Sequence, residues 1–180
     1  DEGASVGLYY LTINNGSLGP EVFVEAGGWW SRMQIDDNGY PMFVRGGKKW
    51  PETPSRLILL KTLDGGVTWE PSYLNLAPAT KFLIADFIYV NGTYHITYGN
   101  SQHQKLVWSS KAMTEKVMEI FHDFYYATSQ DGVNWTEHLL DNSQTLHNKQ
   151  FWTSMVLVGD RPLIAMYKYA EVNNEYNRGT

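Results

Sequence analysis

The sequence predicts an all-β protein built from repeated antiparallel hairpins, and three observations carry this prediction. Two kinds of hairpin recur along the 180 residues. Glycine (16 residues) and aromatic residues (7 Trp, 12 Tyr and 7 Phe) are abundant, as is usual in chains of short strands and tight turns. The first two copies of each hairpin lie 50 and 53 residues apart, the length of one four-stranded unit, and the next intervals are 67 and 68 residues.

The first kind of hairpin turn, which we call an Asp turn, is clearest at Thr62–Trp69. It reads Thr-Leu-Asp-Gly-Gly-Val-Thr-Trp. A shortened variant occupies Ser129–Trp135, and a fainter copy occupies Thr12–Gly16. The hydroxyl and carboxylate side chains can bind the backbone of their own turn, glycine accepts a positive φ, and Trp can cover the turn. We therefore expect a structural role for Thr62, Asp64, Gly66, Trp69, Ser129, Asp131, Gly132 and Trp135.

A second hairpin alternates with these turns and occurs three times, at 31–44, 84–98 and 153–167. Each copy is an apolar strand, a turn of Asn-Gly or Gly-Asp type, and another apolar strand. This pattern is the usual signal of a tight β-hairpin.

The order of the hairpins predicts four-stranded repeats. If the second hairpin supplies strands one and two, and the Asp turn joins strands three and four, then 30–76 and 82–140 are complete units. Residues 7–26 supply only strands three and four, while 150–180 supply strands one and two, with Glu175–Thr180 as a candidate third strand. Such units are typical of the blades of a β-propeller.

Three blades' worth of strands cannot close a ring, since propellers have at least four blades. Two alternatives follow. Further blades can lie in a longer chain, or a second copy can complete the unfinished blades to give a six-bladed homodimer.

One insertion interrupts the repeat. The unit at 82–140 is longer than the others by about 16 residues, which places extra chain within 100–123. The spacing of Ala112, Met113, Lys116, Val117, Ile120 and Phe121 predicts a short amphipathic helix near 111–121. The alternative is a strand at Leu106–Ser110.

Composition excludes several classes of protein. The net charge of −5 gives no reason to expect nucleic-acid binding. The absence of cysteine excludes disulfides and thiolate metal sites. No apolar segment approaches the roughly 20 residues of a membrane helix. The five histidines show no helical pair at ligand spacing, so we expect neither a metal nor a cofactor.

The turn at Thr62–Trp69 resembles the Asp-box of sialidase-like repeats, also called BNR repeats, at every defining position. The turn at Ser129–Trp135 is similar to the Ser-x-Asp-Gly-x-x-Trp hairpins of several propeller glycoside hydrolases. The resemblance covers nearly the whole chain and implies a β-propeller. It implies no single activity, because Asp-boxes also occur in propellers that are not enzymes.

In a propeller, the turns within hairpins lie on one face, and the connections between hairpins lie on the face around the channel mouth. The connection face here is basic and rich in Trp, which suits a carbohydrate or another anionic small ligand. Alternatively, the Trp residues cover blade junctions and the lysines form a solvated loop. The candidate ligand-binding residues are Trp29, Trp30, Arg32, Arg45, Trp50, Arg56, His103 and His147, with Lys48, Lys49 and Lys105 beside them.

A resemblance to five-bladed propeller glycosidases implies a catalytic role for Asp86. The segment Ala85–Tyr94 is similar to theirs, although it lacks the usual Pro after Asp and is one residue short. A second carboxylate, Glu25 or Glu52, would complete the pair that glycoside hydrolysis requires. The alternative is that Asp86 binds backbone amides at the end of a strand.

An intact sialidase site is not expected within these residues. A sialidase needs three convergent arginines, a Tyr activated by Glu, and an Asp acid. No Arg-Ile-Pro segment appears near the first blade, and Val44-Arg45-Gly46 does not match that motif. The available arginines are Arg32, Arg45, Arg56, Arg161 and Arg178.

The functional expectation is therefore a glycan-directed propeller, either a glycoside hydrolase, part of one, or a lectin-like module. It would be extracellular or on the cell surface. The alternative is a non-catalytic propeller scaffold for protein contact or assembly.

Overall fold

The computed structural model describes residues 7–26, 31–46, 56–76, 81–108, 116–141, 148–159 and 161–170. Within these ranges the chain forms fourteen strands and no helix. The strands are β1 (Gly7–Tyr10), β2 (Ile13–Asn14), β3 (Ser17–Leu18), β4 (Val22–Ala26), β5 (Ser31–Ile35), β6 (Pro41–Arg45), β7 (Ile58–Lys61), β8 (Glu70–Tyr73), β9 (Lys81–Val90), β10 (Thr93–Trp108), β11 (Lys116–Ser129), β12 (Thr136–Asp141), β13 (Asn148–Val158) and β14 (Arg161–Ala170).

The strands form several antiparallel sheets. Two sheets are four-stranded, with the orders β5-β6-β7-β8 and β9-β10-β11-β12. The pairs β1-β4 and β13-β14 are two-stranded sheets, and β2-β3 is a small hairpin between β1 and β4. The all-β prediction is confirmed, but only two of the described sheets are four-stranded and none closes into a barrel.

Local turn chemistry explains the hairpins. Asn91 and Gly92 join β9 to β10 with φ values of 48° and 74°, the left-handed pair that a two-residue hairpin loop needs. Between β5 and β6, one oxygen of Asp36 accepts hydrogen bonds from the backbone N–H groups of Asn38 (2.9 Å) and Tyr40 (2.8 Å). These turns set the strand register.

The central strands β6 and β7 of sheet β5–β8 are buried on both faces. Val44 and Leu59 point to one side, where they pack with the core residues of sheet β9–β12. Phe43 and Leu60 point to the other side, where they pack with Val24 and other residues of sheet β1-β4. Because the side chains of β6 and β7 alternate between the two faces, three successive sheets form one stack. Each buried side chain of this size contributes about 1.5–3 kcal/mol to the free energy of unfolding.

The glycines of the two Asp turns press against the preceding sheet. Gly132 has a φ of 77°, and a Cβ added there would lie 2.6 Å from Cδ2 of Leu59 in β7. Gly66 has a φ of 104° and lies in the same way against the hydroxyl of Tyr10 in β1. Glycine is required at both positions by its conformation and by the close approach.

The first strands of three successive sheets are neighbours. Strand β9 contacts β5 on one side and β13 on the other. The hydroxyl of Tyr89 in β9 donates a 2.9 Å hydrogen bond to Asp37 in the β5–β6 turn. Burial and this hydrogen bond raise the pKa of Tyr89 to about 12.

The predicted helix near 111–121 is wrong over residues 116–121. These residues form the start of β11, which pairs with the end of β10 through Val107–Val117 and Leu106–Met118. Strand β10 runs on to Trp108, so the alternative strand at 106–110 is correct as far as 108. Val, Ile and Phe fit a pleated strand well, and backbone pairing with β10 outweighs their helical spacing. Residues 109–115 lie outside the described part of the chain.

Candidate functional site

Asp86 lies beside a β-bulge in β9. Thr97 of β10 faces Asp86, whereas the next residue, Tyr98, faces Ile84, so the pairing skips Ala85. One oxygen of Asp86 accepts a 2.9 Å hydrogen bond from the backbone N–H of Phe87. Bulges re-aim side chains, and here the bulge accompanies a carboxylate that turns back onto its own strand.

The other oxygen of Asp86 reaches the neighbouring sheet. It accepts a 2.6 Å hydrogen bond from the backbone N–H of Met155 in β13. Next to it, the hydroxyl groups of Thr97 and Thr153 form a 2.7 Å hydrogen bond between β10 and β13. Thr97 is fully buried. Asp86, Thr97 and Thr153 therefore form a polar link between sheets β9–β12 and β13-β14.

Glu25 forms an ion pair with Arg45. Nη2 of Arg45 donates a 2.6 Å hydrogen bond to Oε2 of Glu25, and Nε faces Oε1. Arg45 also donates to the carbonyl oxygen of Gly46 (3.2 Å). Burial lowers the pKa of Arg45. The two-point contact links β4 to β6 and fixes the guanidinium plane.

The structure does not bring the two candidate catalytic carboxylates together in any described contact. Asp86 binds amides of β9 and β13, whereas Glu25 lies in β4 and binds a side chain of β6. Glu52, the other candidate, lies outside the described residues.

The structure describes only some of the candidate ligand-binding residues. Arg32 donates to the carbonyl oxygen of Ser31 (3.1 Å). The guanidinium of Arg56 lies 5.8 Å from the ring centroid of Tyr73, and both side chains are exposed. Of His103 and Lys105, only the backbone position in β10 is described. The others lie outside the described residues: Trp29, Trp30, Lys48, Lys49, Trp50 and His147.

The Asp turn at 62–69 is a closed hydrogen-bond cage. Oδ1 of Asp64 accepts from the hydroxyl of Thr62 (2.7 Å) and from the backbone N–H groups of Val67 (3.0 Å) and Thr68 (2.9 Å). Oδ2 accepts from the hydroxyl of Thr68 (2.6 Å). The hydroxyl of Thr62 accepts in turn from the N–H of Gly66 (2.8 Å).

The Asp turn at 129–135 repeats this cage. Asp131 accepts from the hydroxyl of Ser129 (2.9 Å) and from the N–H groups of Val133 and Asn134 (both 2.8 Å). The indole of Trp135 donates to the carbonyl oxygen of Gly132 (3.2 Å). The Asp and hydroxyl side chains of each Asp turn therefore stabilise the backbone of their own loop.

These hydrogen bonds hold the pKa values of Asp64 and Asp131 well below the usual range of a carboxyl group. A lowered native pKa adds stability above the unfolded value of about 4, and that stability is lost as the pH falls towards the native value. We therefore expect the melting temperature of the wild type to fall more steeply between about pH 5 and pH 2 than that of an Asp64→Asn/Asp131→Asn variant. Melting temperatures measured across this pH range would fall with equal slopes in the two proteins if the hydrogen-bond cages had no electrostatic role.

The pair of a buried Tyr98 and a half-buried Glu137 has no counterpart in the sequence-based predictions. The hydroxyl of Tyr98 donates to Glu137 of β12, and the ring stacks on Tyr125 at 5.4 Å between centroids. Burial and the bond to Glu137 raise the pKa of Tyr98 far above its usual range. The phenol stays protonated, which is the opposite of an activated nucleophile. The alternation of Tyr94, Ile96 and Tyr98 along β10 is the sequence signal for this buried position.

Among the residues that the structure describes, no group of three His, Asp or Glu side chains has the arrangement of a metal site. Over the same residues, no helix is long and apolar enough to cross a membrane. No protein-family model, curated protein or solved structure matches this chain.

Proposed function

We propose that this chain builds part of a sialidase-like Asp-box propeller and serves as a glycan-binding module rather than as a glycosidase. Two Asp turns with the same hydrogen-bond cage support the propeller, as does the face-to-face stack of sheets. The adjacent first strands β5, β9 and β13 are also what a propeller places around its axis. Such a module would act outside the cell or on its surface.

The contacts of Asp86 carry the non-catalytic part of the proposal. Each of its oxygens accepts one backbone N–H, and the two donors belong to different sheets. Glycoside hydrolysis needs two carboxylates roughly 5–10 Å apart, facing an open space. Of its two candidate partners, Glu25 is held by the buried Arg45, and Glu52 lies outside the described residues. Asp86 and Glu25 therefore act as structural links.

The pair Arg56 and Tyr73 supports a carbohydrate ligand. Both side chains are exposed, and the guanidinium lies over the aromatic ring. A ring face can stack on the C–H groups of a sugar, and a guanidinium can bind a sugar carboxylate through two hydrogen bonds. Acidic glycans fit this chemistry best.

A glycan array probed with the wild type tests the proposal. We expect binding to acidic glycans, weakened about tenfold by Arg56→Ala or Tyr73→Ala, and unchanged by Lys61→Ala. Lys61 is the matched control because it makes a similar cation–ring contact, 5.7 Å from the centroid of Tyr94. Assays with aryl glycosides should detect no hydrolysis. Hydrolysis that Asp86→Asn abolishes without unfolding the protein would establish a glycosidase instead.

A second candidate function is that of a scaffold for assembly. The exposed apolar faces of the two terminal sheets favour it, because large apolar side chains cluster there rather than scatter singly.

A further inference from the structure

The last sheet, β13-β14, has an apolar face without a neighbouring sheet in the described part of the chain. Met155 points to the covered side and is buried against the stack. Val156, Val158 and Leu163 point to the other side and are 54%, 60% and 55% exposed. Val156 and Leu163 are direct cross-strand partners, so they form a continuous patch.

The first sheet, β1-β4, has a corresponding open face. Leu8, Tyr10 and Val24 pack towards sheet β5–β8. Tyr9 and Phe23 are cross-strand partners on the other side, with edge-to-face rings 5.3 Å apart. They are 43% and 50% exposed.

Two more surfaces are open in the described part of the chain, beside these two-stranded sheets. Met33 and Ile35 of β5 lie on the same face as Phe43, towards the first sheet, yet they are 48% and 49% exposed. The sheet β1-β4 covers the middle of that face, through Phe43, Ile58 and Leu60. A first and a second strand would cover the exposed residues of β5.

Sheet β9–β12 has a similar uncovered surface on the face next to β13-β14. Here the uncovered half is that of its third and fourth strands. His95, Tyr126 and His138 form a row of stacked rings on the face of sheet β9–β12 that β13 covers beside Thr97. The outer end of this row is half-buried at Tyr126 and exposed at His138. A third and a fourth strand would cover it.

Strand β1 has the place of a third strand. Tyr10 of β1 contacts Gly66 in the Asp turn of the following sheet. In the same way Leu59 of β7, the third strand of its sheet, contacts Gly132 in the Asp turn of the following sheet. Strand β14 follows β13 as β6 follows β5, which gives it the place of a second strand. Second and third strands pair antiparallel in both complete sheets, as β6-β7 and β10-β11. The edges of β14 and β1 are therefore complementary.

We propose that two copies of this chain associate by pairing β14 of each copy with β1 of the other. The composite sheet has the order β13-β14-β1-β4, and two such sheets form around a two-fold axis. Tyr9 and Phe23 of one copy then lie over Tyr126 and His138 of the other. The patch of Val156, Val158 and Leu163 lies over Met33 and Ile35 in the same way.

This arrangement gives a ring of six four-stranded sheets and covers both open edges. It rests on the propeller part of the proposed function but not on the glycan part, since the interface uses neither Arg56 nor Tyr73.

The mass of the purified 180-residue chain in solution tests the inference. Light scattering after size-exclusion chromatography should give twice the chain mass of 20.6 kDa. Leu163→Glu should raise the dissociation constant of the dimer at least about 30-fold, because it buries a charge at the centre of the interface. Val67→Glu is the matched control and should leave the dimer intact, since Val67 is 82% exposed in an Asp turn away from the interface.

Cross-linking tests the register. The chain has no cysteine, so a Met33→Cys chain mixed with a Val156→Cys chain should form a mixed dimer with a short bismaleimide. A monomeric wild type, a mass above that of two copies, equal effects of Leu163→Glu and Val67→Glu, or failure of the mixed cross-link would each overturn the proposal.

Discussion

Replacing Glu25 with alanine is expected to lower the free energy of unfolding by about 3 kcal/mol. The change leaves the guanidinium of Arg45, which is 3% exposed, without its carboxylate between β4 and β6. A buried, uncompensated charge is among the most costly defects in a protein interior, and the partial exposure of Glu25 keeps the loss at the lower end of the usual range. Urea denaturation followed by tryptophan fluorescence would measure it.

Two further variants identify the cause of that loss. A Glu25→Leu/Arg45→Met double variant should recover most of the stability, because it replaces the ion pair with apolar side chains of similar size. Glu21→Ala, at an exposed position just before β4, should change stability by less than about 0.5 kcal/mol. A Glu25→Ala loss as small as that of Glu21→Ala would show that the pair does not hold β4 to β6.

Replacing Asp86 with alanine is expected to cost about 2–4 kcal/mol. The change removes the acceptor of two backbone N–H groups, and the amide of Met155 lies where β9 meets β13. Hydrogen bonds to a charged group contribute about 1.5–3 kcal/mol each, part of which water can replace at this half-buried position. Thermal unfolding would give the loss.

Hydrogen exchange can distinguish the loss of the Asp86–Met155 hydrogen bond from a general destabilisation of the protein. In Asp86→Ala, the Met155 amide should exchange faster by a larger factor than the amides of β6 and β7, which do not donate to Asp86. Asp86→Asn keeps an oxygen acceptor, so its effect should be smaller. Equal acceleration at all of these amides would contradict a specific link between β9 and β13.

The features that were predictable from sequence depend on contacts within a few residues. The cage of Asp64 closes through Thr62, Val67 and Thr68, all within four positions along the chain. The Asn91–Gly92 turn needs only its own two residues. Signals of this kind predict the hairpins and the all-β class, because the interacting groups are neighbours before any tertiary structure forms.

The insertion shows where such local signals fail. Val117, Ile120 and Phe121 have a spacing that fits one face of a helix, yet they are also good strand residues. Backbone pairing with a strand earlier in the chain decides between the two, as at His103–Phe121 and Gln104–Ile120. The sequence showed both options, and the hairpin partner selected one.

By itself the sequence determined the class of the fold, the hairpins and the structural role predicted for the Asp turns. Only the tertiary structure decided what the charged residues contact. Asp86 accepts a hydrogen bond from the backbone N–H of Met155, 69 positions away, and Glu25 pairs with Arg45, 20 positions away. Such partners become neighbours only when sheets stack, because the stacking of separate hairpins depends on apolar burial between distant segments rather than on any local pattern.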